Sequence, residues 1–155
     1  MLEEIKSKRL VDTNAEWVLY SGINDVPLAQ REDFEKTFPG LEAERTSLYG
    51  LINQEGKRQW TPGSLKPSAN AHAKKVLLCC LNDKPDGAAS YEAIRTVLEK
   101  ILKHYQTLKI SNIASFYIGS GYGLLPDPVE ALFGMKFHET KLDASVSQLN
   151  VELYS

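Results

Sequence analysis

Two nearly continuous apolar runs constrain the fold of this chain more than any other feature of the sequence. The first reads VLLCCL from Val76, and the second reads IASFYI from Ile113. Runs of this length without polar alternation predict strands that are buried on both faces. Between them, apolar residues recur every three or four positions from Tyr91 to Tyr105, which predicts an amphipathic helix with Ser90 as its N-cap. Strands that alternate with helices indicate an α/β architecture with helices on both faces of the sheet.

Weaker signals predict further elements on either side of this unit. Residues 15–23, AEWVLYSGI, are rich in aromatic and aliphatic side chains and predict another buried strand. A charged run after Pro27 predicts a helix that stops at Pro39 and Gly40. Residues 41–75 carry little signal beyond a turn around 60–63.

The carboxy-terminal part of the sequence predicts one helix and one strand. Asp127 is typical of an N-cap, with Pro128 at the first helical position. The last segment, QLNVELY, alternates apolar and polar residues and predicts a half-buried edge strand.

Composition indicates one ordinary domain that spans residues 1–155. The chain is 43% hydrophobic, and its 18 basic and 20 acidic residues give a net charge of −2. A single core fits this length. The charge balance argues against a dedicated partner among nucleic acids or anionic membranes, because such binders carry an excess of Lys and Arg. No apolar stretch approaches the roughly 18 residues of a membrane span.

The cysteines and the amino-terminal segment predict a cytoplasmic protein without a metal or another cofactor. Cys79 and Cys80 are adjacent, and neighbouring strand residues point to opposite faces, so a disulfide between them would strain the chain. Reduced thiols fit the cytoplasm. Neither cysteine has histidine partners at ligand spacing, and the segment MLEEIKSKRL lacks the apolar run of a signal peptide.

A glycine-rich loop after the second apolar run is the main candidate for chemistry. Gly119, Gly121 and Gly123 alternate with Ser120 and Tyr122, directly after a buried strand and shortly before a helix. Such a loop is able to turn its N–H groups toward a bound phosphate. The spacing differs from the dinucleotide fingerprint G-x-G-x-x-G, and the Lys-Ser/Thr of a P-loop is missing. A tight strand-to-helix turn without a ligand is the alternative interpretation.

Segments from nearly the whole chain, taken in order, resemble the macro domain, a family that binds ADP-ribose and its derivatives. These segments are VDTNAEWVLYSGIND, PLAQREDFEKTFPG, TPGSL, KKVLLCCLNDKPDGAASYEAIRTVLEKIL, IASFYIGSGYG and QLNVELY. The resemblance implies a three-layer α/β/α macro-like fold with a mixed central sheet.

The resemblance also implies roles for individual residues. The N–H groups of Gly119–Gly123 would hold the diphosphate, and Tyr122 would cover the distal ribose. Ser21 and Asn24 stand where the family often has two asparagines, so Ser21 would contact the ligand and Asn24 would bind a ribose hydroxyl. Asp25 would serve as general base if the chain hydrolyses an ADP-ribose adduct, either a phosphate ester or an ADP-ribosylated protein. The alternative for Asp25 is a helix N-cap.

Two departures from the family pattern bear on the function. Lys8 and Arg9 stand where the family has a Gly-Asp pair whose aspartate contacts adenine. The short segment 25–29 replaces a glycine-rich first loop. The predicted function is therefore binding of ADP-ribose or a related nucleotide derivative, with hydrolysis as a further activity. The alternative is a degenerate macro-like domain that acts as a protein-interaction module.

Overall fold

One mixed sheet organises the molecule. The structure, a computed structural model, describes residues 2–138 and 149–155. Within these residues six strands form the sheet, in the order β1-β6-β5-β2-β4-β3. The five neighbouring pairs are parallel except β3 with β4, which is antiparallel. The strands are β1 (Leu2–Ile5), β2 (Trp17–Tyr20), β3 (Leu65–Pro67), β4 (Lys75–Cys79), β5 (Asn112–Phe116) and β6 (Asn150–Tyr154).

Helices cover both faces of this sheet and complete three layers. The helices are α1 (Arg31–Thr37), α2 (Leu41–Leu48), α3 (Tyr91–His104) and α4 (Pro126–His138). One buried cluster joins α3 and α4 to one face of the sheet, through residues such as Ile94 and Phe133. A second cluster joins α1 and α2 to the other face, through residues such as Phe34 and Leu48. The predicted α/β/α architecture with a mixed sheet is confirmed.

The continuous apolar runs are explained by this two-sided burial. Along β4, which holds the first run, Leu77 and Cys79 belong to the cluster under α3 and α4, while Val76 and Leu78 belong to the opposite cluster. Successive strand residues point to opposite faces, so a central strand needs apolar side chains at every position. The N-cap prediction is also confirmed, because the Ser90 hydroxyl accepts a hydrogen bond from the Ala93 N–H at 3.1 Å.

One predicted strand position and two predicted helix starts were wrong. The last strand, β6, is not an edge strand, because β1 pairs with its outer side and β5 with its inner side. The helix predicted to begin after Asp127 already begins at Pro126, so Asp127 lies in the first turn. The helix predicted after Pro27 is shorter, since a 3-10 turn over Leu28–Gln30 precedes α1.

Three further observations concern the cysteines, membrane-spanning helices and metal-binding groups. Cys79 and Cys80 are both free and buried. Among residues 2–138 and 149–155, no helix is long and apolar enough to cross a membrane. No group of three or more His, Cys, Asp or Glu side chains in that same part of the chain is placed to hold a metal ion.

Candidate functional site

The candidate site lies at the edge of the sheet where β2, β4 and β5 end. After β2 the chain enters a 3-10 turn (Ile23–Asp25), and after β5 it enters the glycine loop (Gly119–Gly123). Because these strands are parallel, both turns leave the same edge of the sheet, and they pack directly against each other. A Cβ atom on Gly121 would lie 1.7 Å from the Asn24 carbonyl oxygen, so this approach requires glycine. We call the region where the two turns meet the loop after β4 the crevice.

The glycine loop already holds an oxyanion, and this oxyanion is the carboxylate of Asp25. The Gly119 N–H donates to Asp25 Oδ2 at 2.8 Å, and the Gly121 N–H donates to Oδ1 at 2.8 Å. The Ser21 hydroxyl donates to Oδ2 as well. Asp25 is only 6% exposed. The helix-cap interpretation of Asp25 is therefore wrong, because its carboxylate binds the distant glycine loop rather than the helix that follows it.

Burial makes the ionised form of Asp25 costly. Removal from water raises the pKa of Asp25, and the hydrogen bonds from Gly119, Ser21 and Gly121 oppose that rise only in part. The net pKa of this carboxyl lies above its ordinary value of 3.8. A buried carboxylate in this situation is held by directed hydrogen bonds while it lacks the hydration it would have in water.

A buried arginine connects the glycine loop and the loop after β4. Arg45, from α2, is 0% exposed. Its Nη2 donates to the Tyr122 hydroxyl at 3.1 Å and to the Pro85 carbonyl at 2.8 Å. Its Nη1 donates to the Tyr49 hydroxyl at 3.0 Å, and its Nε forms an ion pair with Glu42 at 2.8 Å. The guanidinium thus links the glycine loop and the loop after β4 to α2.

Tyr122 takes part in this network instead of standing free above the crevice. It is 5% exposed, and burial raises its pKa to about 12. The Arg45 guanidinium lies 5.5 Å from the centroid of its ring, within cation–π range. The Asn24 N–H approaches the Tyr122 hydroxyl at 3.4 Å. A side chain in this position contacts Arg45 and not open solvent, so a ligand reaches its ring only after the network moves.

The remaining residues predicted for the site lie around this network. Ser21, Asp25, Gly119 and Gly121 form one hydrogen-bonded cluster, as described above. The Ser120 hydroxyl donates to the Tyr117 carbonyl at 2.6 Å and stabilises the turn itself. Gly123 is exposed and adopts a φ of 101°, with open space where a side chain would be.

The sequence does not predict two residues of the site. Arg45 and Glu42 lie in α2, within residues 41–75, where the sequence carries little signal. An arginine in the charged segment LEAERTSL is typical of a solvated helix face, and nothing local indicates that it is buried. Arg9 forms surface ion pairs with Asp12 and Asp33.

The solved structures that resemble this chain are macrodomains. No protein-family model matches the sequence, and no curated protein matches it. The macrodomain of Mycobacterium tuberculosis DarG superposes with a TM-score of 0.70 at 15% identity, over 99% of this chain and 97% of that one. The macrodomain of Thermus aquaticus DarG gives a TM-score of 0.68 at 16% identity, over 100% and 98% of the two chains.

A third neighbour was solved with a ligand. Thermosipho africanus DarTG, in complex with ADP-ribose, gives a TM-score of 0.71 at 14% identity, over 99% of this chain and 41% of that one. Together these structures show that the chain has the macrodomain fold, which confirms the resemblance seen in the sequence.

Proposed function

We propose that the crevice binds ADP-ribose or a related nucleotide derivative, with a phosphate oxygen taking the place of the Asp25 carboxylate. The observation that carries this proposal is the convergence of two main-chain N–H groups, from Gly119 and Gly121, on a single carboxylate at 2.8 Å each. A phosphate presents the same pair of acceptor oxygens as a carboxylate and suits the same donors. The alternating glycines are therefore more than a turn, since they bind an anion within the folded chain.

The position of the crevice and the fold support this proposal. In open α/β sheets, ligands bind beyond the carboxyl ends of the strands, where β2, β4 and β5 end in this chain. The chain shares its fold with the T. africanus protein solved in complex with ADP-ribose. A net charge of −2 is compatible with a small anionic ligand held by main-chain N–H groups rather than by lysines.

In this proposal Asp25 is an internal competitor of the ligand. Hydrogen bonds to a charged group contribute about 1.5–3 kcal/mol each, so a ligand phosphate must offer comparable bonds before it replaces the carboxylate. The burial that raises the pKa of Asp25 favours the exchange, because a released carboxylate regains water.

A second candidate function is a protein-interaction module that does not bind ADP-ribose. The observation in its favour is that Asp25 and Arg45 occupy the crevice and are themselves buried.

Calorimetric titration of ADP-ribose into the wild type and the Asp25→Asn variant separates these functions. An amide in place of the carboxylate lacks the negative charge and competes less well, so we expect the variant to bind at least about tenfold more tightly, equivalent to about 1.4 kcal/mol. Glu16→Gln is the matched control, because Glu16 is an exposed carboxylate directly before β2, at the other end of that strand from the crevice, and its change should leave the affinity as in the wild type. No heat from either protein at millimolar ADP-ribose would reject this ligand and favour the interaction module.

We extend the proposal to hydrolysis of an ADP-ribose phosphate ester or of an ADP-ribosylated protein. Asn24 would orient the distal ribose, and Asp25, once released from the glycine loop, would accept a proton from the attacking water. The Asp25→Asn variant should then bind more tightly yet turn over more slowly, and Asn24→Ala should also slow turnover. The measurement is product release from an ADP-ribose phosphate ester. Wild-type rates in both variants would remove these two residues from catalysis.

A further inference from the structure

The glycine loop is held from outside as well as by the carboxylate of Asp25. The Tyr122 hydroxyl accepts a hydrogen bond from Arg45 Nη2 at 3.1 Å. Tyr122 directly follows Gly121, and its N–H donates to the Gly119 carbonyl at 3.0 Å within the 3-10 turn. A displacement of the Tyr122 side chain would therefore be passed on to the peptide groups of both glycines.

The Arg45 guanidinium is itself fixed in orientation. Its Nε donates to the Glu42 carboxylate at 2.8 Å, and its Nη2 donates to the Pro85 carbonyl at 2.8 Å. The guanidinium is planar, so two such bonds on different nitrogens fix the directions of its remaining N–H groups. Arg45 is fully buried, so these bonds do not compete with bulk water. The N–H group that reaches Tyr122 is therefore held in one direction.

Glu42 connects the same guanidinium to the other turn of the crevice. Its carboxylate accepts hydrogen bonds from the Tyr20 hydroxyl at 2.8 Å and from the Ile23 N–H at 3.3 Å. Tyr20 ends β2, and Ile23 begins the turn that follows it. The pair of Arg45 and Glu42 thus contacts both turns, the glycine loop through Tyr122 and the turn after β2 through Ile23.

We propose that Arg45 is a positioning residue, which holds Tyr122 in place so that the N–H groups of Gly119 and Gly121 point at one oxyanion. The role is the same for the Asp25 carboxylate and for a ligand phosphate. Donors that are already aligned bind an anion more tightly, because binding does not have to order them. The part of this inference that concerns a ligand rests on the proposed function, whereas the part that concerns Asp25 does not.

The pKa of Asp25, followed through the carbon-13 NMR signal of its carboxyl group, tests this role without a ligand. Burial raises this pKa, and the hydrogen bonds from the glycine loop oppose the rise. Tyr122→Phe removes the hydroxyl that Arg45 holds but keeps the ring, so the loop should lose alignment and the pKa of Asp25 should rise above its wild-type value. The nearby Cys79 thiol stays neutral in this titration, because burial raises its pKa well above the ordinary value.

Tyr49→Phe is the matched control. It also removes a hydroxyl that accepts a hydrogen bond from Arg45, at 3.0 Å. The Tyr49 hydroxyl donates to Asn82, however, and Tyr49 directly follows α2 rather than belonging to the glycine loop. The pKa of Asp25 should therefore stay at its wild-type value in Tyr49→Phe. An unchanged pKa in Tyr122→Phe would overturn the proposal, and so would equal rises in both variants, because these would indicate a general loosening around Arg45.

A double-mutant cycle with Arg45→Lys assigns the effect to Arg45. Lysine keeps the positive charge but lacks the planar fork that reaches several partners. In this background Tyr122→Phe should raise the pKa of Asp25 by less than it does in the wild type, because the bond to Tyr122 is already lost. An equal rise in both backgrounds would contradict the proposal. It would assign the positioning of Tyr122 to the Asn24 N–H, which reaches the same hydroxyl at 3.4 Å.

The affinity for ADP-ribose extends the test to the ligand. In the Asp25→Asn protein, where the internal competitor is weakened, adding Tyr122→Phe should weaken binding about fivefold, equivalent to about 1 kcal/mol. Adding Tyr49→Phe should leave the affinity unchanged. Equal affinity with and without Tyr122→Phe would overturn the positioning role for the ligand. No binding of ADP-ribose by any of these proteins would reject the proposed function alone, since the pKa comparison then decides the role of Arg45.

Discussion

At the scale of single residues, the position of Asp25 decides how the crevice works. The sequence singles out Ser21, Asp25 and the glycines separately, because each stands at the end of a predicted strand. It does not predict that the Asp25 carboxylate binds Gly119 and Gly121, which follow it by 94 and 96 positions. Contacts at such separations depend on how the strands are ordered in the sheet, and local patterns carry no information on that order.

The raised pKa of Asp25 predicts a pH-dependent affinity for ADP-ribose. The folded-state pKa lies above the ordinary value of 3.8, so Asp25 takes up a proton before an exposed aspartate does as the pH falls. The protonated group loses its charge and its hold on the two N–H groups, while the diphosphate stays ionised. Affinity in the wild type should therefore rise as the pH is lowered from neutral toward the pKa of Asp25. Calorimetry at a series of pH values measures this slope.

The control for this pH dependence is the Asp25→Asn variant, whose affinity should stay nearly flat over the same window. The free energy of unfolding of the wild type should also depend on pH through Asp25, and it should be higher at low pH. A carboxyl with a raised pKa contributes stability below its unfolded-state pKa, and this contribution is lost as the pH rises through the folded-state pKa. If the affinity for ADP-ribose depends on pH equally in the wild type and in Asp25→Asn, another group controls that affinity.

At the scale of elements, close packing of the turns against α2 closes the crevice. The chain leaves β2 through Gly22, whose φ is 141°. A Cβ atom there would lie 2.0 Å from the Tyr122 hydroxyl and 2.9 Å from the Arg45 guanidinium carbon. Glycine at this position thus lets the turn, the glycine loop and α2 meet.

This packing predicts that Gly22→Ala destabilises the protein more than Gly40→Ala does. Gly40 also has a positive φ, 77°, but nothing lies within 4 Å of a Cβ placed there. Its substitution should cost about 1–2 kcal/mol for the left-handed conformation alone. Gly22→Ala should cost about 1–3 kcal/mol more, the usual penalty for overpacking. Urea denaturation gives both free energies of unfolding, and equal losses would contradict the packing described for Gly22.

The sequence predicts an element well when the signals for it lie within the element itself. Helix α3 is predicted with its Ser90 cap because a repeated apolar face and a capping hydroxyl are both encoded within 90–105. Helix α2 is missed because its eight residues include Arg45, whose burial requires contacts with residues far away in the sequence. Its burial depends on Tyr122 and Pro85, which reach it from other loops.

At the scale of the whole molecule, the two apolar runs predict the layers but not the full strand order. Strand β1 has only four residues, and Glu3 and Glu4 at its centre are exposed. The charged sequence around it therefore does not predict a strand. Once β1 pairs with β6, the predicted edge strand becomes an inner one. The location of the crevice follows from the parallel arrangement of β2, β4 and β5. The sequence does not predict that Asp25 and Arg45 occupy it. That residues 1–155 form one domain stays a prediction.

The function proposed for the crevice requires the N–H groups of Gly119 and Gly121 to bind an oxyanion of ADP-ribose in place of Asp25. The most direct measurement is a nitrogen-15 NMR titration of the wild type with ADP-ribose, with glycine-selective labelling to isolate these two signals. We expect both amide signals to shift saturably and together, while the signal of Gly40, which lies outside the crevice, stays in place. Unmoved Gly119 and Gly121 signals at millimolar ADP-ribose, with or without shifts elsewhere, would contradict it.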